Sequence, residues 1–205
     1  MPIPNKAAST ELDAVNQILS SVGQAAVTTL DMQNPEVFTA LSTLREVSRQ
    51  LQAEGWTFNT ELTYKFTPNN ITKKIEVPAD VLQMDISATY HGDQYDLVRR
   101  RGVIYDRYNH TDEFEGDLYF DVVWLFLFED LPTAFQSHII AKASRIVATR
   151  LVGDTELVQL LALDEEMTQA ALMEYETNQG DYTMFGFRQG QRNYNSYQPF
   201  QALIR

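Results

Sequence analysis

Cysteine is absent from the 205-residue chain. Its absence removes disulfides, thiolate zinc sites and thiol nucleophiles from consideration, and suits a reducing compartment. Histidine is scarce, with only His91, His110 and His138 present, which leaves little for a metal centre. Basic residues are few, 16 against 28 acids, for a formal charge of −12. That balance argues against tight duplex-DNA binding, because affinity for phosphates comes from clustered Lys and Arg. Long apolar runs are also missing. The longest, Val122–Phe128, falls far short of the ~20 residues of a membrane helix. Glu129 and Asp130 close it, and it reads as a strand buried on both faces. The opening Met1-Pro2-Ile3-Pro4-Asn5-Lys6 has no apolar stretch of the signal-peptide kind. No cofactor, metal or membrane insertion is expected.

What is present suffices for a core. The apolar fraction is 44%, in the range of folded domains, and the length allows one domain or one with an inserted subdomain. Residues 10–22 read as a helix. Thr10 is the N-cap, Glu11 and Asp13 follow in the first turn, and Leu12, Val15, Ile18, Leu19 and Val22 share a face before Gly23. A second helix begins at Asn34-Pro35-Glu36, with Val37, Leu41, Leu44, Val47 and Leu51 as its stripe and Gly55 as its stop.

The period then changes to 2. Leu62, Tyr64 and Phe66 alternate with polar residues. After the Pro68-Asn69-Asn70 turn, Ile71, Ile75 and Val77 read as a returning strand. Further strands are expected at Val81–Tyr90, Tyr95–Arg99, Val103–Tyr105 and Leu118–Phe128. Helix resumes after Leu131-Pro132, with Phe135, Ile139, Ala143, Ile146, Val147 and Leu151 on one face and Gly153 as the stop. The last helix, capped by Asp154 or Thr155, runs to about Thr177. Leu157, Leu160, Leu161, Met167, Ala171 and Leu172 are its apolar positions, and it carries no Lys or Arg. The tail beyond Asn178 is poor in helix and strand formers but rich in rings.

The layout is α+β. A helical bundle of about four helices is built from both chain ends (1–55 and 131–178), with an inserted central antiparallel β domain (56–130) and an extended C-terminal tail (179–205). Packing the four helices together gives each apolar stripe a partner.

Catalytic chemistry is thin. Asp112, Glu113, Glu115 and Asp117 cluster before a strand and would offer a general acid and base if two converged, but a solvated acidic loop explains them. His91-Gly92-Asp93 and His110-Thr111-Asp112 lie in turn-like sequence. His138 has no ligand partner at i±4 and reads as structural. No nucleophile elbow, phosphate-cradling loop or zinc-protease motif occurs. Arg99-Arg100-Arg101 is a basic cluster suited to a hairpin turn, to phosphate or to an acidic patch on a neighbour. Asp164, Glu165 and Glu166 on the last helix suit a solvated face, or one that repels polyanions. Trp56 and Phe58 read as core at the junction between bundle and β block.

Several strings then occur in a fixed order. They are Ala14-Val15-Asn16-Gln17-Ile18-Leu19-Ser20-Ser21-Val22-Gly23, Val27-Thr28-Thr29-Leu30, Gly55-Trp56-Thr57-Phe58-Asn59, and Tyr105-Asp106-Arg107 with Phe114. Leu131-Pro132 with Phe135, Lys142-Ala143-Ser144-Arg145, Glu174-Tyr175-Glu176 and Gly180-Asp181-Tyr182 complete the set. In this order the chain resembles the tail tubular protein A family of short-tailed phages. Val122–Phe128 is more hydrophobic than that pattern, and the tail beyond Met184 has no counterpart in it.

The resemblance implies a structural virion protein without catalysis. It would be an adaptor in a dodecameric ring joining the portal protein to the tail nozzle protein (tail tubular protein B type), seating tail fibres and letting DNA pass without specific binding. It would reside in the virion tail after assembly in the host cytoplasm. On that reading Tyr182, Phe185, Phe187, Arg188, Arg192, Tyr194, Tyr197 and Phe200 form a subunit interface, with Glu165 or Glu174 as carboxylates for the arginines. Asp164, Glu165 and Glu166 face the channel, and Arg99, Arg100 and Arg101 contact a partner. Two alternatives stand beside it. One is a carboxylate-dependent tail hydrolase of cell-wall glycan, marked by a converged acid pair in a cleft. The other is a monomeric binding module whose tail folds on a partner.

Overall fold

The computed structural model describes residues 10–91 and 94–180. Helix α1 (Glu11–Ser21) starts as its cap residues dictate. The Thr10 hydroxyl accepts the Asp13 N–H at 3.1 Å, and the Asp13 carboxylate accepts the Thr10 N–H at 3.3 Å, so two orphan donors are closed reciprocally. Helix α2 (Pro35–Gln52) starts from Asn34, whose side chain accepts the Glu36 N–H at 3.0 Å. Helices α4 (Thr133–Leu151) and α5 (Thr155–Gly180) follow the β region. Gly153, at φ +71°, supplies the left-handed turn between them. Ile18, Leu44, Phe135 and Ile139 lie at the centre of one apolar core. There α4 packs on α1, α2 and α5.

Strands β1 (Thr60–Phe66), β2 (Val81–Ile86) and β5 (Leu118–Trp124) form an antiparallel sheet in the order β1-β5-β2. A four-residue helix, α3 (Ala88–His91), follows β2, and β3 (Leu97–Arg100) pairs with β4 (Val103–Asp106) as a hairpin. Phe66, Ile75, Ile104, Phe120 and Val122 belong to a second apolar core beneath these strands.

Four details differ from the periodicity. Leu62 and Tyr64 are exposed at 44% and 38%, so the alternation of β1 does not mark a buried face. The β1–β5 register shifts between Glu61 and Tyr64, and Thr63 sits at φ +57° with its N–H donating to the Asp121 carboxylate, which is a bulge re-aiming the strand. No strand forms over residues 71–77. Ile71 is 91% exposed, while Ile75 and Val77 are buried and tied to the hairpin by the Ile104 N–H to Ile75 C=O bond and the Val77 N–H to Gly102 C=O bond. The strand expected over Val81–Tyr90 ends at Ile86, where α3 takes over.

The fourth difference concerns Val122–Phe128, which is not a strand buried on both faces. Strand β5 stops at Trp124, Phe126 and Leu127 are exposed, and Phe128 enters the helical core. The cause lies in Gln52, fully buried at the end of α2. Its side-chain oxygen accepts the Phe126 N–H at 2.8 Å, and its amide nitrogen donates to the Phe126 C=O at 3.1 Å. Both backbone groups of Phe126 are satisfied by a side chain, so the sheet ladder has no claim on them. Asn59 completes the joint. Its amide donates to the carbonyls of Gln52 and Trp124 at 2.8 and 2.9 Å, and its oxygen accepts the Trp56 N–H at 2.8 Å.

Candidate functional site

Several of the strings singled out in the sequence hold turns and junctions in the described residues. Asn16 holds the chain after α1 by exchanging two bonds with the backbone of Val27, at 2.9 and 2.7 Å. The Trp56 indole N–H donates to the Leu51 C=O at 2.6 Å. Its ring, that of Phe58 and that of Tyr175 meet Phe135 edge-on at 5.1, 4.6 and 6.1 Å. Trp56 and Phe58 are thus packed at the bundle–sheet junction, as read from sequence.

Asp106, whose side-chain role the sequence reading missed, is the hub of the loop after β4. It is fully buried and accepts the backbone N–H groups of Tyr108 and Asp96 at 2.8 and 3.3 Å and the Asn109 amide at 2.7 Å. Burial pushes its carboxyl up, but these donors outweigh burial and hold it below the ordinary carboxylate value. The Asp-x-x-Asn spacing across a turn is the signal that marks it.

The expected acid cluster does not converge. Asp112 pairs with Lys74 at 2.5 Å and Asp117 with Lys65 at 2.6 Å, while Glu113 and Glu115 are exposed. His91 accepts the Tyr119 N–H at 3.0 Å, a structural use; Gly92 and Asp93 lie outside the described residues. His110 is exposed. Among the described residues no group of His, Asp and Glu is arranged to hold a metal ion, and no helix is long and apolar enough to cross a membrane. An open cleft of about 590 Å³ lies where α2 meets residues 125–129, and its acids are Glu11, Asp80 and Glu129. Arg45 holds Glu11 through two hydrogen bonds of 3.0 and 2.7 Å.

The arginine triplet divides. Arg99 donates to the carbonyls of Val81 and Pro78 at 3.0 and 3.3 Å, fastening the hairpin to β2. Arg100 lies over the Tyr105 ring, 4.2 Å from its centroid. Arg101, exposed at the tip, forms the two-residue turn with Gly102 at φ +51° and +81°, the left-handed pair that a tight hairpin needs.

Helix α5 presents two apolar faces. Leu161 and Leu172 are buried on the face toward the bundle. That face is fixed by polar ties: Glu165 to Arg145, Thr168 to His138 at 3.2 Å, and Glu176 to Thr57. Burial pushes the His138 imidazole down, against nearby Glu165, which favours the charged form. The hydrogen bond that Arg145 donates to Glu165 raises the guanidinium above its ordinary value. On the far side Leu160, Leu163 and Met167 are exposed at 63%, 53% and 71%, with Ala171 exposed beyond them. Their spacing of 3, 4 and 4 residues lines them up as one stripe.

Packing the four helices together therefore does not cover all of the apolar positions of α5, because a bundle covers one face of a helix and this one has two. Of the three acids expected to face a channel, Asp164 and Glu166 are exposed, and Glu165 is turned into the bundle by Arg145. The interface residues Tyr182, Phe185, Phe187, Arg188, Arg192, Tyr194, Tyr197 and Phe200 lie outside the described residues.

A model of the tail tubular protein family matches residues 12–182, a span running from the first turn of α1 past the end of α5. No curated protein matches the chain. The match covers most of the chain and agrees with the ordered strings. The chain belongs to the tail tubular protein family, and so to the structural proteins of the phage tail.

Proposed function

We propose that the chain is the repeating subunit of a dodecameric adaptor ring. The ring joins the portal to the nozzle protein, encloses the DNA exit channel and helps to seat tail fibres, without catalysis. The observation that carries this reading is the second apolar stripe of α5, since a helix apolar on two faces suits a place between its own bundle and another body. A ring of identical copies supplies such a body through a heterologous interface, where one face meets a different face of the next copy. The aromatic residues of the tail act at that interface, and Arg101, the member of the triplet at the exposed hairpin tip, contacts a partner.

Glu166 is exposed away from the stripe and is the acid assigned to the channel wall, where like charge keeps passing DNA from adhering. Asp164 flanks the stripe and belongs to the interface. With no thiol available, such a ring is held by packing and charge alone; its subunits assemble in the host cytoplasm.

Sedimentation and electron microscopy of the chain with and without portal protein test this reading. Rings that form or are stabilised on the portal are the expected result, and a monomer that ignores the portal overturns it. The other reading, a glycan hydrolase, has its candidate acids in the cleft lined by Asp80 and Glu129. Lysis in a zymogram, abolished by Asp80→Asn or Glu129→Gln, would replace the adaptor reading by that one.

A further inference from the structure

We infer that the stripe Leu160–Leu163–Met167–Ala171 of one subunit receives residues 181–205 of the adjacent copy. This inference rests on the ring reading and names what fills the exposed face. Chemistry selects the occupant. Helix α5 has six acids and no Lys or Arg. Glu165 is engaged by Arg145 and Glu176 by Thr57, which leaves Glu156, Asp164, Glu166 and Glu174 exposed; at 3.6 residues per turn all but Glu166 fall beside the stripe. Residues 181–205 have the opposite character, with Arg188, Arg192 and Arg205 against Asp181 alone, and six Phe and Tyr rings. An acid-flanked apolar stripe matches an arginine-bearing aromatic strap in both polarity and charge.

Of the two carboxylates expected from sequence to meet Arg188 and Arg192, Glu165 is already held by Arg145; Glu174 is the one that receives them, with Asp164 beside the stripe. Length permits the crossing. A segment of 25 residues reaches up to ~80 Å when extended, whereas the stripe from Leu160 to Ala171 is only about 17 Å long at the helical rise. Most of the segment is therefore left to span from one copy to the next. The trans arrangement follows from ring closure. A stripe filled by the chain's own tail would cover the exposed apolar surface that the next copy needs.

The cysteine-free chain makes the test direct. One tagged population carries Met167→Cys. A second, differently tagged, carries Phe185→Cys, Phe187→Cys, Tyr194→Cys or Tyr197→Cys in turn. The two are mixed, assembled on portal protein and oxidised. Disulfide-linked dimers containing both tags are expected, with a severalfold lower yield when Asp164→Lys and Glu174→Lys are added. Rings seen by electron microscopy without any mixed-tag dimer overturn the inference and leave the ring reading standing. A chain carrying both cysteines that closes on itself, even when diluted among cysteine-free copies in the ring, overturns the trans assignment. Failure to form rings at all overturns both.

Discussion

Thr57 and Glu176, 119 positions apart, are joined by two hydrogen bonds: the Glu176 carboxylate accepts the Thr57 N–H at 2.9 Å and the Thr57 hydroxyl at 2.5 Å. Glu176 is 7% exposed, so the tie pins the C-terminal end of α5 to the linker entering β1. Removing the carboxylate leaves a backbone donor without its partner. Glu176→Ala is expected to cost about 2 kcal/mol in urea unfolding, and Glu176→Gln, which keeps one acceptor oxygen, about 1 kcal/mol. Hydrogen exchange at Thr57 should quicken in both. An unchanged midpoint for the alanine variant would show that the tie contributes nothing to stability.

Neighbouring acids on α5 should behave unlike each other. Glu165 is held by Arg145 with side chains 17% and 33% exposed, so Glu165→Gln is expected to cost about 1 kcal/mol, less at high salt. Glu166 is exposed, and Glu166→Gln should stay within about 0.5 kcal/mol of the parent. Thermal melts of the two variants side by side decide it; equal effects would contradict the assigned facing.

The imidazole of His138 gives stability an acid limb. The ring is 4% exposed, packed against Thr168 with Glu165 and Lys142 nearby, and burial lowers its proton affinity below that of an unfolded histidine. The unfolded chain therefore binds this proton more readily. Stability should fall as pH drops below about 6.5, the ordinary histidine value, and level off once the folded form is protonated too. His138→Gln should flatten that limb. A pH profile identical in parent and variant would rule the residue out as its source.

Asp106 acts in a lower window. Its folded-state carboxyl is held below the ordinary value of about 3.9. The stability it contributes is thus present above that value and lost as pH falls through the folded one. Asp106→Asn turns an amide toward donors that need an acceptor and should cost about 2 kcal/mol at neutral pH. Its hairpin amides should exchange faster, and a wild-type exchange pattern would contradict the hub role.

Arg101 occupies left-handed backbone at φ +51°, where a residue with a Cβ is strained by roughly 1 kcal/mol. Asn tolerates this region better. Arg101→Asn is expected to raise the unfolding midpoint while weakening assembly on the portal. Gain in stability with undiminished assembly would remove Arg101 from the partner contacts.

The helices are legible because each is announced by chemistry local to its ends: Thr10 with Asp13, Asn34 with Pro35, and Gly153 before Asp154. The sheet is less so. Leu62, Tyr64 and Phe66 carry the right period, but a bulge at Thr63 re-aims the strand, and only Phe66 is buried. Val122–Phe128 reads as one strand because its apolar run crosses, without a break in composition, from β5 into a junction governed by Gln52, 74 positions from Phe126. For α5, composition reveals the acids and the apolar residues but not their division into two faces. That division depends on how α4 docks, as does the capture of Glu165 by an arginine twenty positions earlier. Packing partners remote in sequence decided what local pattern did not.

The joint at Gln52 and Asn59 also sets a tolerance. Apolar contact fixes how near two bodies lie but lets them swivel. Paired hydrogen bonds to the backbones of Trp124 and Phe126 fix the swivel as well, because each bond weakens steeply off its axis. Where many copies repeat around a closed circuit, a small angular error in each accumulates until the last copy misses the first. In the ring proposed for this chain, the Gln52–Asn59 joint is a polar hinge pin that would keep that error from arising.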